Sequence, residues 1–237
     1  MLDKDLRKND LYEYRFGFKE RRSNNIFVLV LLCALFVFMA FRTYFVNAYG
    51  GVNVHGDSMN MTLESGDKLL MRKTDGWKKA ERGDVIVVYV GDYEECAGVG
   101  GGHLIKRLIA LGGEWVKCED GVVKISKDEG KTWTALDEPY AYYGENDKNK
   151  ENYDFDVYKV AEDEIFFLGD NRSRDGSSID SRFQDYYING KGERVELSHL
   201  DHLYKEDDIV GIVFDWAIDY REFLADLPIW AEEEKGE

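Results

Sequence analysis

Residues 84–90 read Asp84-Val85-Ile86-Val87-Val88-Tyr89-Val90 and lie between Gly83 and Gly91-Asp92. A short run of β-branched and aromatic residues closed at both ends by turn formers predicts a strand. Runs of the same kind lie on either side. Lys68-Leu69-Leu70-Met71 follows a Ser65-Gly66-Asp67 turn, and Leu104 to Leu111 alternates around charged residues before ending at Gly112-Gly113. Gly121 to Ser126 reads as a hairpin arm, Glu164-Ile165-Phe166-Phe167-Leu168 runs into Gly169-Asp170, and Asp208 to Phe214 reads as a late strand. Helical periodicity is weak outside the apolar run at 26–41, so the expected fold class is mainly β. The polar stretch from about 126 to 162 reads as part of an insert or excursion, placed at about 112–165.

Upstream, Ile26 to Phe41 carries no charge. Arg42 interrupts, and Thr43-Tyr44-Phe45-Val46 resumes the apolar character. A helix crossing the hydrocarbon needs about 20 apolar residues, a length reached here if Arg42 snorkels to the interface. So long an apolar run leaves no polar face for a water-exposed core helix, and no Ala-x-Ala follows it as a cleaved leader would require. Residues 26–46 therefore read as a transmembrane anchor, 1–25 as a cytoplasmic segment and 47–237 as an extracytoplasmic domain. Lys19, Arg21 and Arg22 precede the span and no Lys or Arg occurs between Asn47 and Gly56, which sets that orientation by the positive-inside rule.

The net charge of −16 over 237 residues argues against nucleic-acid partners, because an acidic chain repels phosphates. Cys33 falls in the apolar run. Cys96 and Cys118 lie downstream, where an exported domain allows either a disulfide or two separate thiols. No CxxC pair occurs, so no zinc pattern is present.

The chemistry-bearing segments are Gly56-Asp57-Ser58-Met59-Asn60-Met61-Thr62-Leu63, Arg82-Gly83-Asp84-Val85-Ile86, Leu104-Ile105-Lys106-Arg107-Leu108-Ile109, and Gly169-Asp170-Asn171-Arg172 continuing to Ser178-Ile179-Asp180-Ser181-Arg182. Singly, each has an ordinary structural reading: a turn serine, an edge-strand lysine, a solvated ion pair. A serine nucleophile needs an adjacent base. A lysine serves as that base only when neutral, and burial among apolar neighbours lowers its pKa. Strand alternation places Leu104 and Leu108 on the face of Lys106 and turns Arg107 to the other face. His55 and His103 lie close in sequence to Ser58 and Lys106 and offer a histidine base as the alternative.

In this order and behind one membrane span, these segments resemble the type I signal peptidases of the Ser/Lys class, over roughly residues 19 to 216. The resemblance implies a signal-peptidase-like catalytic β-fold with a small β insert, and a membrane-anchored serine endopeptidase acting on exported preproteins at the lipid bilayer. No metal or organic cofactor is implied. It implies Ser58 as nucleophile and Lys106 as general base. The Ser58 N–H would be the main oxyanion donor, with only backbone assistance from Gly56, which lacks the hydroxyl some members carry there. Ser178 would orient the lysine, Asp180 and Arg182 would form a supporting charged pair, and Asp170, Asn171 and Arg172 would be scaffolding beside the site.

The chain departs from the family pattern in three places. Met61 stands where the family usually has proline, removing that residue's rigidity. Leu111-Gly112-Gly113 replaces Leu-Pro-Gly. About three extra residues near Arg174-Asp175-Gly176 leave Ser173 or Ser177 as alternatives to Ser178. The rival functions are a dedicated peptidase for a narrow substrate such as a pilin, and a non-catalytic anchored assembly protein. A self-cleaving regulator with the same dyad lacks its DNA-binding module here.

Overall fold

The computed structural model describes residues 3–74, 80–91, 102–145, 150, 153–173, 179–182, 186–188, 194–196 and 203–226. The chain divides into two compact units, Met1–Asn47 and Ala48–Glu237.

The first unit is helical. Helix α1 runs Asp3–Ala48, and its 24-residue segment Asn25–Ala48 contains an 18-residue window of mean hydropathy 2.6. At 1.5 Å per residue this segment is about 36 Å long, enough to cross the hydrocarbon. Its side chains face outward, with Phe27 68 % and Phe36 74 % exposed, as a helix solvated by lipid requires. The helix begins well before the apolar run. Residues 3–24 hold no proline, and half of them are Leu, Lys, Arg or Glu, so they can continue a helix already nucleated by the span.

The second unit is built from antiparallel strands. In chain order these are β1 (Tyr49–Asn53), β2 (Lys68–Lys73), β3 (Val85–Tyr89), β4 (His103–Ala110), β5 (Trp115–Glu119), β6 (Val122–Ser126), β7 (Thr134–Ala135), β8 (Phe155–Lys159), β9 (Phe166–Leu168), β10 (Tyr186–Ile188), β11 (Arg194–Glu196) and β12 (Ile209–Val213). Two short helices follow, α2 (Asp215–Asp219) and α3 (Arg221–Ala225). The main sheet has the order β1-β2-β12-β3-β4-β9. A second sheet, β7-β6-β5-β8, holds the segment between β4 and β9, and β10-β11 form a separate pair.

The apolar strands appear where the sequence places them. Strands β1, β5, β7, β8, β10 and β11 do not stand out in the sequence. In β5, buried Val116 and Cys118 alternate with Trp115, Lys117 and Glu119, so half of the strand is polar by design of the pleat. The polar excursion is thus largely a sheet with one solvated face. Cys118 is a free thiol buried in this sheet, and Cys96 lies outside the described residues.

One core cluster joins Ile86, Val88, Leu104, Leu108 and Phe167. A second packs Met59, Leu63 and Leu69 against Val85, Val87 and Ile105. The third joins the two larger sheets, bringing Ile109, Phe166 and Leu168 against Val116, Val123 and Ile125. Phe166 is fully buried at this joint, its ring 5.5 Å from that of Phe155 and 5.2 Å from that of Tyr158. Truncating it leaves a cavity between sheets, so Phe166→Ala is expected to cost about 3–5 kcal/mol. Denaturant unfolding of the full chain in detergent measures this, and a loss under about 1 kcal/mol would show that the joint closes without the ring.

Candidate active site

Ser58 sits in a tight turn after β1. Asn60 N–H donates to Asp57 O at 3.0 Å, and the N–H groups of Thr62 and Leu63 donate to Met59 O at 3.1 and 2.8 Å. Met59 and Leu63 are buried and root the turn in the core. Gly56 enters the turn at φ +81°, a left-handed conformation, and its N–H donates to Ser65 Oγ at 3.3 Å. A Cβ at Gly56 would meet nothing within 4 Å, so the glycine is required by the backbone angle and not by space. Met61 also has φ +81° and is 70 % exposed. Proline cannot adopt that angle. The departure at Met61 is therefore a different backbone conformation as well as the loss of a rigid residue.

Lys106 lies in β4, between β3 and β9 in the main sheet, directly opposite Ile86. Leu104 and Leu108 belong to one core cluster and Ile105 to another, the alternation expected of the strand. Lys106 is 2 % exposed. Its Nζ lies 2.8 Å from Ser58 Oγ and donates to Ile105 O at 3.1 Å. Burial pushes the lysine down to about 8, against the upward pull of Asp180 and Asp170. A lysine of that pKa is neutral in about a tenth of molecules at pH 7, several hundredfold more often than an ordinary one. The neutral amine keeps its donor contact to Ile105 O and can turn its lone pair to the serine hydroxyl. His55 is exposed and His103 packs on the Tyr89 ring at 5.2 Å, so the group against Ser58 Oγ is the lysine.

Asp170 is fully buried. Arg107 grips it bidentately, Nε to Oδ1 at 2.8 Å and Nη2 to Oδ2 at 2.6 Å, and Thr62 Oγ1 donates to Oδ2 at 2.7 Å. Arg107 also donates to Gly83 O at 2.7 Å and stacks on Tyr140 at 3.8 Å. Next to Asp170, Gly169 packs so closely on Ser58 O that a Cβ would come within 2.4 Å of it. The Asn171 N–H donates to Ser58 O and its Nδ2 to Asp57 O, both at 3.0 Å.

The other sequence-designated residues fall into two groups. Asp180 and Arg182 form a chelated pair, Nη2 to Oδ2 at 2.7 Å, and Asp180 is buried within electrostatic reach of Lys106. Arg172 turns away from the dyad, donating to Glu138 at 2.9 Å with both side chains buried. Ser178 and Ser177 lie outside the described residues. The Ser173 hydroxyl donates to Asn171 Oδ1 at 2.6 Å. Among the described residues no group of three or more His, Cys, Asp or Glu is arranged to hold a metal.

The parts that sequence reasoning missed are Thr62, Glu138 and the ion-pair role of Arg107. An arginine inside an apolar strand has to find a buried carboxylate. That rule signals the need for a partner without saying which carboxylate supplies it.

Residues 24–213 match the family described as signal peptidase, peptidase S26. Signal peptidase I of Bacillus licheniformis is 32 % identical over 68 % of this chain and 80 % of its own length. Signal peptidase I T of Bacillus subtilis (strain 168) is 31 % identical over 78 % of each chain, and signal peptidase I P of Bacillus subtilis subsp. natto 29 % over 82 % and 88 %. The match runs from the membrane segment through the nucleophile turn, β4 and the last strand of the main sheet, and on that ground the chain belongs to the peptidase S26 family of signal peptidases.

Proposed function

We propose that this protein is a membrane-anchored serine endopeptidase that removes signal peptides from exported preproteins, with Ser58 as nucleophile and Lys106 as general base. The observation that carries this reading is the 2.8 Å contact between a serine hydroxyl and a buried lysine in a chain related to signal peptidases. Neutral Lys106 accepts the proton as Ser58 Oγ attacks the scissile carbonyl carbon. The carbonyl oxygen gains charge and the Ser58 N–H faces it. Lys106 then returns the proton to the departing amine, leaving an acyl-enzyme. Water, deprotonated by the same lysine, releases the new C-terminus and regenerates the serine.

The apolar helix supports anchoring, and the cations before it support an N-terminus in the cytoplasm and a catalytic unit outside. The 10–12 residues from the span's end to Ser58 reach at most about 35–45 Å fully extended, a tether short enough for the serine to act on a cleavage site emerging from the membrane. An extended substrate with small residues at the first and third positions before the cut, added as a strand, suits this chemistry. A dedicated peptidase of narrow substrate range is the second reading, favoured by the left-handed backbone at Met61.

Purified wild type in detergent is expected to cleave a preprotein bearing an Ala-x-Ala signal, whereas Ser58→Ala and Lys106→Ala lose activity by about 10³-fold or more. Cleavage surviving in Lys106→Ala would transfer the base role to another group. Inactivity of wild type on this substrate, with activity on one co-encoded secreted protein, would establish the dedicated reading.

The pH profile follows from the lysine. Only the neutral amine accepts the proton, so kcat/KM is expected to rise about tenfold per pH unit below about 8 and level off above it. A profile flat from pH 6 to 9 would remove Lys106 from the base role.

Stability should show the same group with the opposite benefit. The unfolded chain holds the lysine proton up to about 10.5 and the folded chain releases it near 8. The unfolded state thus binds more protons between those values, and stability rises with pH across that window. Lys106→Met removes the buried cation and is expected to be more stable than wild type at pH 7 by up to about 3 kcal/mol, the gap closing towards pH 10.5. Equal or lower stability of the variant would show that the lysine is not held against its charge.

A further inference from the structure

The peptide unit between Asp57 and Ser58 is clamped from its carbonyl side. Asp57 O accepts the turn's own Asn60 N–H and, from outside the turn, Asn171 Nδ2, each at 3.0 Å. A trans peptide points its N–H opposite its C=O. Fixing the Asp57 carbonyl therefore fixes the direction of the Ser58 N–H, which has no hydrogen-bond partner among the described residues. The orientation of the Asn171 amide is itself determined. Its Oδ1 accepts from Ser173 N at 3.1 Å and Ser173 Oγ at 2.6 Å, which leaves only Nδ2 for the carbonyl. The same segment holds the next peptide unit, because the Asn171 N–H donates to Ser58 O and Gly169 closes against that oxygen.

We propose that Asn171 is a positioning residue for the oxyanion donor: through its hold on the Asp57 carbonyl it aims the Ser58 N–H at the oxygen that gains charge in the attack. Donation to that carbonyl also polarises the peptide, which makes its N–H a stronger donor. With glycine at position 56 no side-chain hydroxyl shares the task from that residue, so the alignment of one backbone N–H weighs more. The inference rests on Ser58 being the nucleophile.

The test compares Asn171→Asp and Asn171→Ala with wild type in the preprotein assay. Asn171→Asp keeps the acceptor that faces Ser173 and replaces only the donor. It turns a negative oxygen towards Asp57 O, and kcat is expected to fall by about 10²-fold or more. Asn171→Ala is expected to lose about tenfold, the worth of one neutral hydrogen bond. KM should hold, as should the binding of uncleaved preprotein to a Ser58→Ala background. A peptide aldehyde ending in Ala-x-Ala, which forms a tetrahedral adduct on Ser58, should bind more weakly by the same factor as kcat falls. The midpoint of the pH profile should stay with Lys106 in Asn171→Ala, while the added carboxylate of Asn171→Asp raises it as Asp170 and Asp180 do.

An unchanged aldehyde affinity with a fallen kcat would overturn the proposal, as would a shifted pH midpoint in Asn171→Ala, a rise in KM alone, or full activity in a folded Asn171→Asp variant. Thermal melting of each variant separates these results from misfolding, and Asn171→Asp, nearly isosteric, decides if Asn171→Ala does not fold. The Ser58→Ala control keeps the two readings apart: its retained activity would sink the nucleophile assignment itself, while its inactivity leaves Asn171 judged by its own variants.

Discussion

A carboxylate without access to water must be surrounded by donors, and Asp170 takes its donors from two separate parts of the fold. Arg107 reaches it from β4 and Thr62 from the nucleophile turn. Charged groups held this way in a low-dielectric interior cannot slide, since any displacement leaves a buried charge unpaired. Arg107 neighbours Lys106 on its strand, Thr62 follows Ser58 in its turn, and Gly169 and Asn171, which flank Asp170, hold the Asp57 and Ser58 carbonyls. The spacing between hydroxyl and amine is thus set by an ion pair that touches neither of them.

The lysine is held by opposing forces. Burial drives it towards the neutral form, while Asp180 and Asp170 draw it back towards the charged one. Each of those carboxylates is already engaged by an arginine, Asp180 by Arg182 and Asp170 by Arg107, which reduces its pull on the amine. The outcome is an amine titrating within reach of neutral pH, at a cost to stability that an apolar side chain would not impose.

The turn that carries Ser58 is held without the proline the family usually has at position 61. Met61 holds a backbone angle closed to proline, and Gly56 holds one that side chains disfavour. The turn's own hydrogen bonds, the buried Met59 and Leu63 and the Thr62–Asp170 contact replace the rigidity that a proline ring supplies.

The strands of the main sheet were legible because apolar runs bounded by glycine have few other uses, and the family and the pairing of Ser58 with Lys106 were legible because both residues lie in ordered motifs behind an apolar span. Strands β5 and β8 were hidden, since their outward residues are charged and their alternation is lost in a polar stretch. The continuation of α1 to Asp3 was hidden too, because that charged segment carries no long apolar run to mark it as helix. For the site, the sequence by itself determined the residue types and the need for a neutral lysine. Only the tertiary structure decided that Arg107 meets Asp170, that Thr62 joins them, that Arg172 turns to Glu138 and that Asn171 faces the Asp57 carbonyl. Those pairings link residues distant along the chain, and partner choice among several buried charges is settled by where the strands place them, which local sequence does not encode.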